Sequence, residues 1–159
     1  MDYAKLSKED FDAVVTGELT HYALWLEDEL NMIIADYFVV SQSKMSSFKQ
    51  LLLYRDGLTF QDKIEIVRGM LPLFQHKAEH LEIKKILNDI EEFKAWRNAL
   101  AHGLDVSQDL SSPHIMVEVV SRSGKKSIRE ITPETHESRM ADAENLLARV
   151  QYARRELNA

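Results

Sequence analysis

Apolar residues recur at three- and four-residue spacing along most of this chain, the period of an amphipathic helix. From Phe11 the positions Val15, Leu19, Tyr22, Leu26, Leu30, Ile33 and Tyr37 form one stripe that runs to about Val40. It predicts one very long helix, or two helices bent near Gly17. Ser7-Lys8-Glu9-Asp10, just ahead of it, reads as a capping box, with a hydroxyl at the N-cap and an acid three residues on. Ser41 to Lys44 is a polar break. A short second helix, Phe48 to Tyr54, is then closed by Asp56-Gly57. Thr59-Phe60-Gln61-Asp62 repeats the capping signature and opens a third helix through Ile64, Ile66, Val67 and Met70. Pro72 bends or ends that helix. A fourth runs from about Ala78 through Leu81, Ile83, Ile86, Leu87, Ile90 and Phe93 to His102, where Gly103 stops it.

Beyond Gly103 the pattern changes. Asp105 to Pro113 is a polar loop, and His114 to Val120 is short and β-branched, so it predicts a strand. A turn with Gly124 returns the chain through a second strand, Ser127 to Ile131. Such a hairpin is marginal alone and must pack on the helices. Thr132-Pro133-Glu134 is a helix start, with an N-cap hydroxyl and proline at the first helical position. The last helix carries Met140, Ala143, Leu147, Val150 and Leu157. No linker, repeat or low-complexity stretch divides the chain. The expectation is a single mainly α domain over residues 1–159, an up-and-down bundle of four to five helices with one small β-hairpin before the C-terminal helix.

Composition narrows the function. A chain of 159 residues with 45% hydrophobic content can bury a sizeable core. Cysteine is absent, which removes disulfides, thiol nucleophiles and thiolate metal sites. The start, Met1-Asp2-Tyr3-Ala4-Lys5, lacks the pattern of a signal peptide, and no stretch approaches 18 consecutive apolar residues. The expected setting is cytoplasmic, away from membranes. A net charge of −6 argues against a protein that coats nucleic acid, yet it leaves room for a local site gripping one phosphate.

The most specific stretch is Lys94-Ala95-Trp96-Arg97-Asn98-Ala99-Leu100-Ala101-His102-Gly103. Arg holds a permanent planar charge that grips a phosphate through two hydrogen bonds. His is the side chain that exchanges protons near neutrality. Arg97 lies in line with Ile83, Ile86, Ile90 and Phe93, and a charge on an apolar stripe must find a partner, a cleft or another subunit. In a regular helix Arg97 and His102 project about 140° apart and about 7.5 Å along the axis. They converge if the helix unwinds before Gly103, if the Arg side chain curls back, or if a two-fold dimer brings a second copy. The plain alternative is that both simply complement the helix dipole at its C-terminus. Elsewhere, His76 and His80 have a ligand-like i, i+4 spacing but no evident third partner, so no metal and no cofactor is expected. Arg122, Lys125, Lys126 and Arg129 crowd the hairpin without an intervening acid, either as a solvated tip or as a contact to a phosphate backbone.

Arg97, the polar Asn98, then three residues and His102 resemble the R-N-x-x-x-H signature of the HEPN (higher eukaryote and prokaryote nucleotide-binding) superfamily. The layout, a small helical bundle with this motif near the end of a late helix, is similar too. The resemblance implies a metal-independent endoribonuclease in which the ribose 2′-hydroxyl attacks the adjacent phosphorus and leaves a 2′,3′-cyclic phosphate. His102 would then be the general acid or base, Arg97 would bind the scissile phosphate, and Asn98 would position Arg97 or the phosphate. Trp96 would either stack a base or fill the core, and Glu29 or Asp36 would be the candidate orienting carboxylate. It further implies RNA as substrate and a homodimer sharing one cleft. The implied setting is a toxin or phage-defence effector held by an antitoxin or other regulatory protein. Its alternative is a non-catalytic dimerisation, nucleotide-binding or protein-interaction module on the same fold.

Overall fold

Two threonines and a serine begin three of the helices, each by giving its side-chain oxygen to a backbone N–H that the helix cannot satisfy itself. In the computed structural model, which describes residues 1–159, Ser7 Oγ accepts from Asp10 N at 3.1 Å and α1 runs Lys8–Phe38 as one uninterrupted helix. Thr59 and Asp62 form a full capping box at the start of α3, Phe60–Met70. Thr132 Oγ1 accepts from Thr135 N at 3.3 Å ahead of α6, Pro133–Asn158, which begins on its proline.

The remaining helices are α2, Gln42–Phe48; α4, His76–His80; and α5, Ile83–His102. The three strands are β1, Leu104–Asp105; β2, Ile115–Val120; and β3, Lys126–Ile131. The protein is mainly α, with a small antiparallel sheet in the order β1-β2-β3 before the C-terminal helix.

The structure departs from the sequence reading in four local places. α2 starts at Gln42, inside the stretch expected to be a polar break, and Lys49–Leu53 continues it as a π-helical turn. The fourth expected helix is broken at Glu82, whose φ of 51° lies in the left-handed region. Gln75 at φ 53° bounds the other side of α4, so this five-residue helix sits between two backbone reversals. The loop after Gly103 opens with β1, which pairs Leu104 with Glu118 and Asp105 with Val117. On α6 the buried stripe is Ala143, Leu146, Val150 and Ala153, so Leu146 rather than Leu147 faces inward.

The chain divides into two compact units, Met1–Ala23 with Phe93–Glu144 and Leu24–Glu92 with Asn145–Ala159. The first holds the start of α1, the end of α5, the sheet and the start of α6. Its buried residues include Phe11, Val15, Leu19, Phe93, Ile115, Val117, Ile131 and His136. The second buries Leu26, Leu30, Ile33, Leu53, Ile64, Val67, Ile83, Ile86, Leu87, Ile90 and Val150. Each fully buried aliphatic side chain contributes about 1.5–3 kcal/mol over its exposed state, so both units have ample apolar burial. No helix is long and apolar enough to cross a membrane.

Candidate functional site at the end of α5

The last turns of α5 combine a stripe that must be buried with side chains that need water. Ile83, Ile86, Ile90 and Phe93 are buried, and Arg97 continues their line half-buried, so the charge emerges where the apolar surface ends. Its Nη1 donates to Asn98 Oδ1 at 2.9 Å. An arginine fork has five N–H donors. One of them is spent on fixing the plane of the group, and the others have no partner in the chain.

His102 ends the helix, exposed, and its imidazole makes no hydrogen bond. Its backbone, by contrast, is held on both sides. Gly103 N donates to Ala99 O at 2.7 Å, continuing the helical pattern past His102. A Cβ on residue 103 would collide with Val117 Cγ1 and the Ala99 carbonyl, so glycine is required there by the close approach of β2. Two residues on, Asp105 forms an ion pair with the buried Lys8 at the start of α1 and accepts from Ser107 N at 2.9 Å. These bonds, that of Lys8 first, hold the Asp105 carboxyl down at about 2.

Helical geometry extends to His102, so the helix does not unwind ahead of Gly103. The Arg97 guanidinium is turned to Asn98 and makes no hydrogen bond to His102. Within one chain, then, Arg97 and Asn98 are brought together and His102 stands apart from them.

Trp96 is half-buried, and two guanidiniums sit on its ring, Arg129 at 4.7 Å and Arg139 at 3.5 Å from the centroid. Arg129 lies opposite Val117 in the β2–β3 register, on the inward side of the sheet with Ile131, and the indole is what accommodates that charge. A base that stacked on Trp96 would share the indole with these guanidiniums. Arg122 and Lys125 are exposed at the hairpin turn, and Lys126 pairs with Glu118 at 3.1 Å on the outer side. The hairpin cations are therefore divided, with Arg129 inward, Lys126 outward and paired, and Arg122 and Lys125 at the tip. Glu29 and Asp36 belong to the other unit, where Glu29 takes Gln151 and Arg154 and Asp36 takes Asn158.

Sequence reasoning missed a polar cluster in the same unit. His136 is fully buried, and its Nε2 lies 2.6 Å from Glu18 Oε2. Tyr3 donates to both Glu18 oxygens at 3.0 and 3.1 Å, and the edges of the Tyr3 and Phe11 rings enclose the imidazole. Burial, then the Glu18 bond, pushes the Tyr3 hydroxyl up to about 12. The signal was available, because His136, Met140 and Ala143 follow helical spacing on α6. No group of three or more His, Asp or Glu side chains is placed to hold a metal ion. No family model, no curated protein and no solved structure matches the chain.

Proposed function

We propose that the chain is an endoribonuclease of the HEPN type that cleaves RNA without a metal. The observation that carries this reading is the pairing of a pre-oriented Arg97–Asn98 unit with a solvent-open His102 on a rigidly held helix end. In the proposed reaction His102 takes the proton of a ribose 2′-hydroxyl, whose oxygen bonds to the adjacent phosphorus. The phosphorus–O5′ bond breaks, the leaving O5′ takes up a proton from water, and the products are a 2′,3′-cyclic phosphate and a 5′-hydroxyl end. Arg97 stabilises the charge that builds on the non-bridging oxygens, through the donors that Asn98 leaves unused.

The divergence of Arg97 and His102 on a regular helix favours completion of the cleft by a second copy, Arg97 from one protomer and His102 from its partner. A regulatory protein that covers that cleft would hold the enzyme inactive, as an antitoxin does. The test is cleavage of total RNA by the purified protein in EDTA, beside Arg97→Ala and His102→Ala, with product ends identified. Cleavage that survives chelation, yields cyclic phosphate and is lost in both variants is expected. Wild-type protein as inert as the variants would remove the reading.

A second reading rests on a different observation. Trp25, Phe38, Val40, Leu51 and Leu52 are all exposed apolar side chains of the second unit, and where such residues adjoin they offer a surface to other proteins. A non-catalytic interaction module would use that surface and tolerate His102→Ala.

A further inference from the structure

The sheet ends in two different edges. β1, with two residues, is too short to offer another strand much backbone. β3 is the other edge, and four of its six residues are exposed. Neither proline nor a bulge interrupts it, since its positions pair one-to-one with those of β2.

The register says which of its groups are free. Ser121 N donates to Lys125 O at 2.9 Å and closes the hairpin. Bonded and unbonded pairs alternate along an antiparallel ladder, so the bonded pairs that follow are Val119 with Ser127, Val117 with Arg129 and Ile115 with Ile131. The backbone N–H and C=O of Lys126, Ile128 and Glu130 point the other way, to the side where no strand lies. The side chains of the same three residues stand on the outer face, away from Arg129 and the buried Ile131. Ile128 is 57% exposed there, next to Glu118, whose other neighbour is the exposed Leu104.

Such an edge is satisfied by another strand, and its charges say which one. Lysine on an edge usually discourages pairing. Here Lys126 and Glu130 stand symmetrically about Ile128. A second β3, laid antiparallel about a two-fold axis at Ile128, sets Lys126 opposite the partner's Glu130 and Ile128 opposite the partner's Ile128. The backbone agrees, because these pairs join residues whose N–H and C=O face the open side, and each pair exchanges two bonds. On the inner face Arg129, held over Trp96, meets the partner's Ser127 and no like charge. An axis at Arg129 would set arginine against arginine. One at Ser127 would leave Lys126 opposite an isoleucine and Glu130 opposite a glycine. Within one chain Lys126 reaches Glu118 at 3.1 Å and Glu130 lies 2.7 Å from His114, so both side chains already extend over this face.

We propose that the chain self-associates through β3, with two copies joining their sheets into one about Ile128. This inference stands whether or not two Arg97–His102 motifs share a cleft, since no residue of β3 belongs to that motif.

The test reads mass rather than RNA cleavage. Sedimentation equilibrium of the full chain, taken up to about 1 mM because so small an interface is weak, is expected to rise from the 18.4 kDa of one chain toward twice that mass. Lys126→Glu sets acid opposite acid and Glu130→Lys sets base opposite base, so each alone should weaken association at least tenfold. Their equimolar mixture pairs acid with base at both ends and should recover wild-type association. Ile128→Pro removes a donor that faces away from β2, so the chain should keep its hairpin and lose the dimer. Far-UV circular dichroism checks that each variant is folded. Amide exchange gives a separate reading, in which protection at Ile128 rises with protein concentration while Arg129 is protected throughout. A wild type that stays at 18.4 kDa overturns the proposal. Association that survives Ile128→Pro and both charge reversals also overturns it, by placing the interface elsewhere. So does a mixture of the two folded charge variants that remains monomeric.

Discussion

Two histidines of the same unit show what surroundings do to one side chain. His102 sits exposed at the end of α5 with a free imidazole, while its backbone is pinned by Gly103, β1 and the Lys8–Asp105 pair. His136 lies fully buried at the start of α6, bonded to Glu18 and walled by Tyr3 and Phe11. A proton-transfer group must reach its substrate, so the rigid-backbone, free-ring arrangement of His102 fits chemistry. The buried, bonded ring of His136 cannot meet a substrate and instead ties α6 to α1. Polarity alone does not separate these roles. Access and partner count do.

The contrast breaks most visibly in activity. His102→Ala should lower RNA cleavage by roughly 10²–10⁴-fold, the contribution of a positioned proton-transfer group, while the unfolding free energy from urea melts stays within about 0.5 kcal/mol of wild type. His136→Ala should do the reverse. It should cost about 2–4 kcal/mol of stability, from a lost buried bond and a cavity, with activity per folded molecule unchanged. Urea melts paired with single-turnover cleavage separate the two outcomes, and a folding defect in His102→Ala would undo the distinction.

Next in size is Gly103→Ala. The new methyl meets Val117 and the Ala99 carbonyl, so β2 must move away from the helix end, at about 1–3 kcal/mol. Cleavage should fall together with stability, because the same collision displaces His102.

The pH dependence should separate the two clusters as well. Asp105 ionises in the folded chain down to about 2, below the ordinary value of an unfolded aspartate of about 3.9. Its stabilisation is therefore present above the unfolded value and is lost as pH falls through about 2. Asp105→Asn should flatten stability between those limits. Tyr3 runs the other way. Its folded value of about 12 exceeds the unfolded value of about 10, so its stabilisation is full below the latter and fades as pH rises through the former. Tyrosinate absorbance should show one late-titrating tyrosine fewer in Tyr3→Phe. The smallest effect is expected of Arg139→Gln, where loss of one cation over Trp96 should cost about 0.5–1 kcal/mol and redshift the indole emission.

How legible this was in the sequence depended on the range of the interactions. The three helix starts at Ser7, Thr59 and Thr132 were readable because a cap involves residues two or three apart. The β2–β3 hairpin followed from β-branching and Gly124, and the end of α5 from Gly103. The π-helical turn was hidden because three successive leucines carry no period, and only Leu53 of them is buried. β1, with two residues, is too short to show alternation. The reversal at Glu82 falls on a residue type that gives no warning of a positive φ. At the candidate site the motif residues were readable by type and spacing. The Arg129–Trp96–Arg139 stack and the Lys8–Asp105 pair join positions far apart in the chain, which no local pattern reveals.

The most direct measurement mixes two inactive proteins. Arg97→Ala and His102→Ala, combined in equal amounts, denatured, refolded together and assayed on RNA in EDTA, should recover about a quarter of wild-type cleavage. Half the dimers would then be mixed, each with one intact composite cleft of two. Recovery to that level, with cyclic phosphate ends, is the result expected if Arg97 of one protomer acts with His102 of its partner. No recovery from a mixture whose wild-type counterpart refolds to full activity would contradict it.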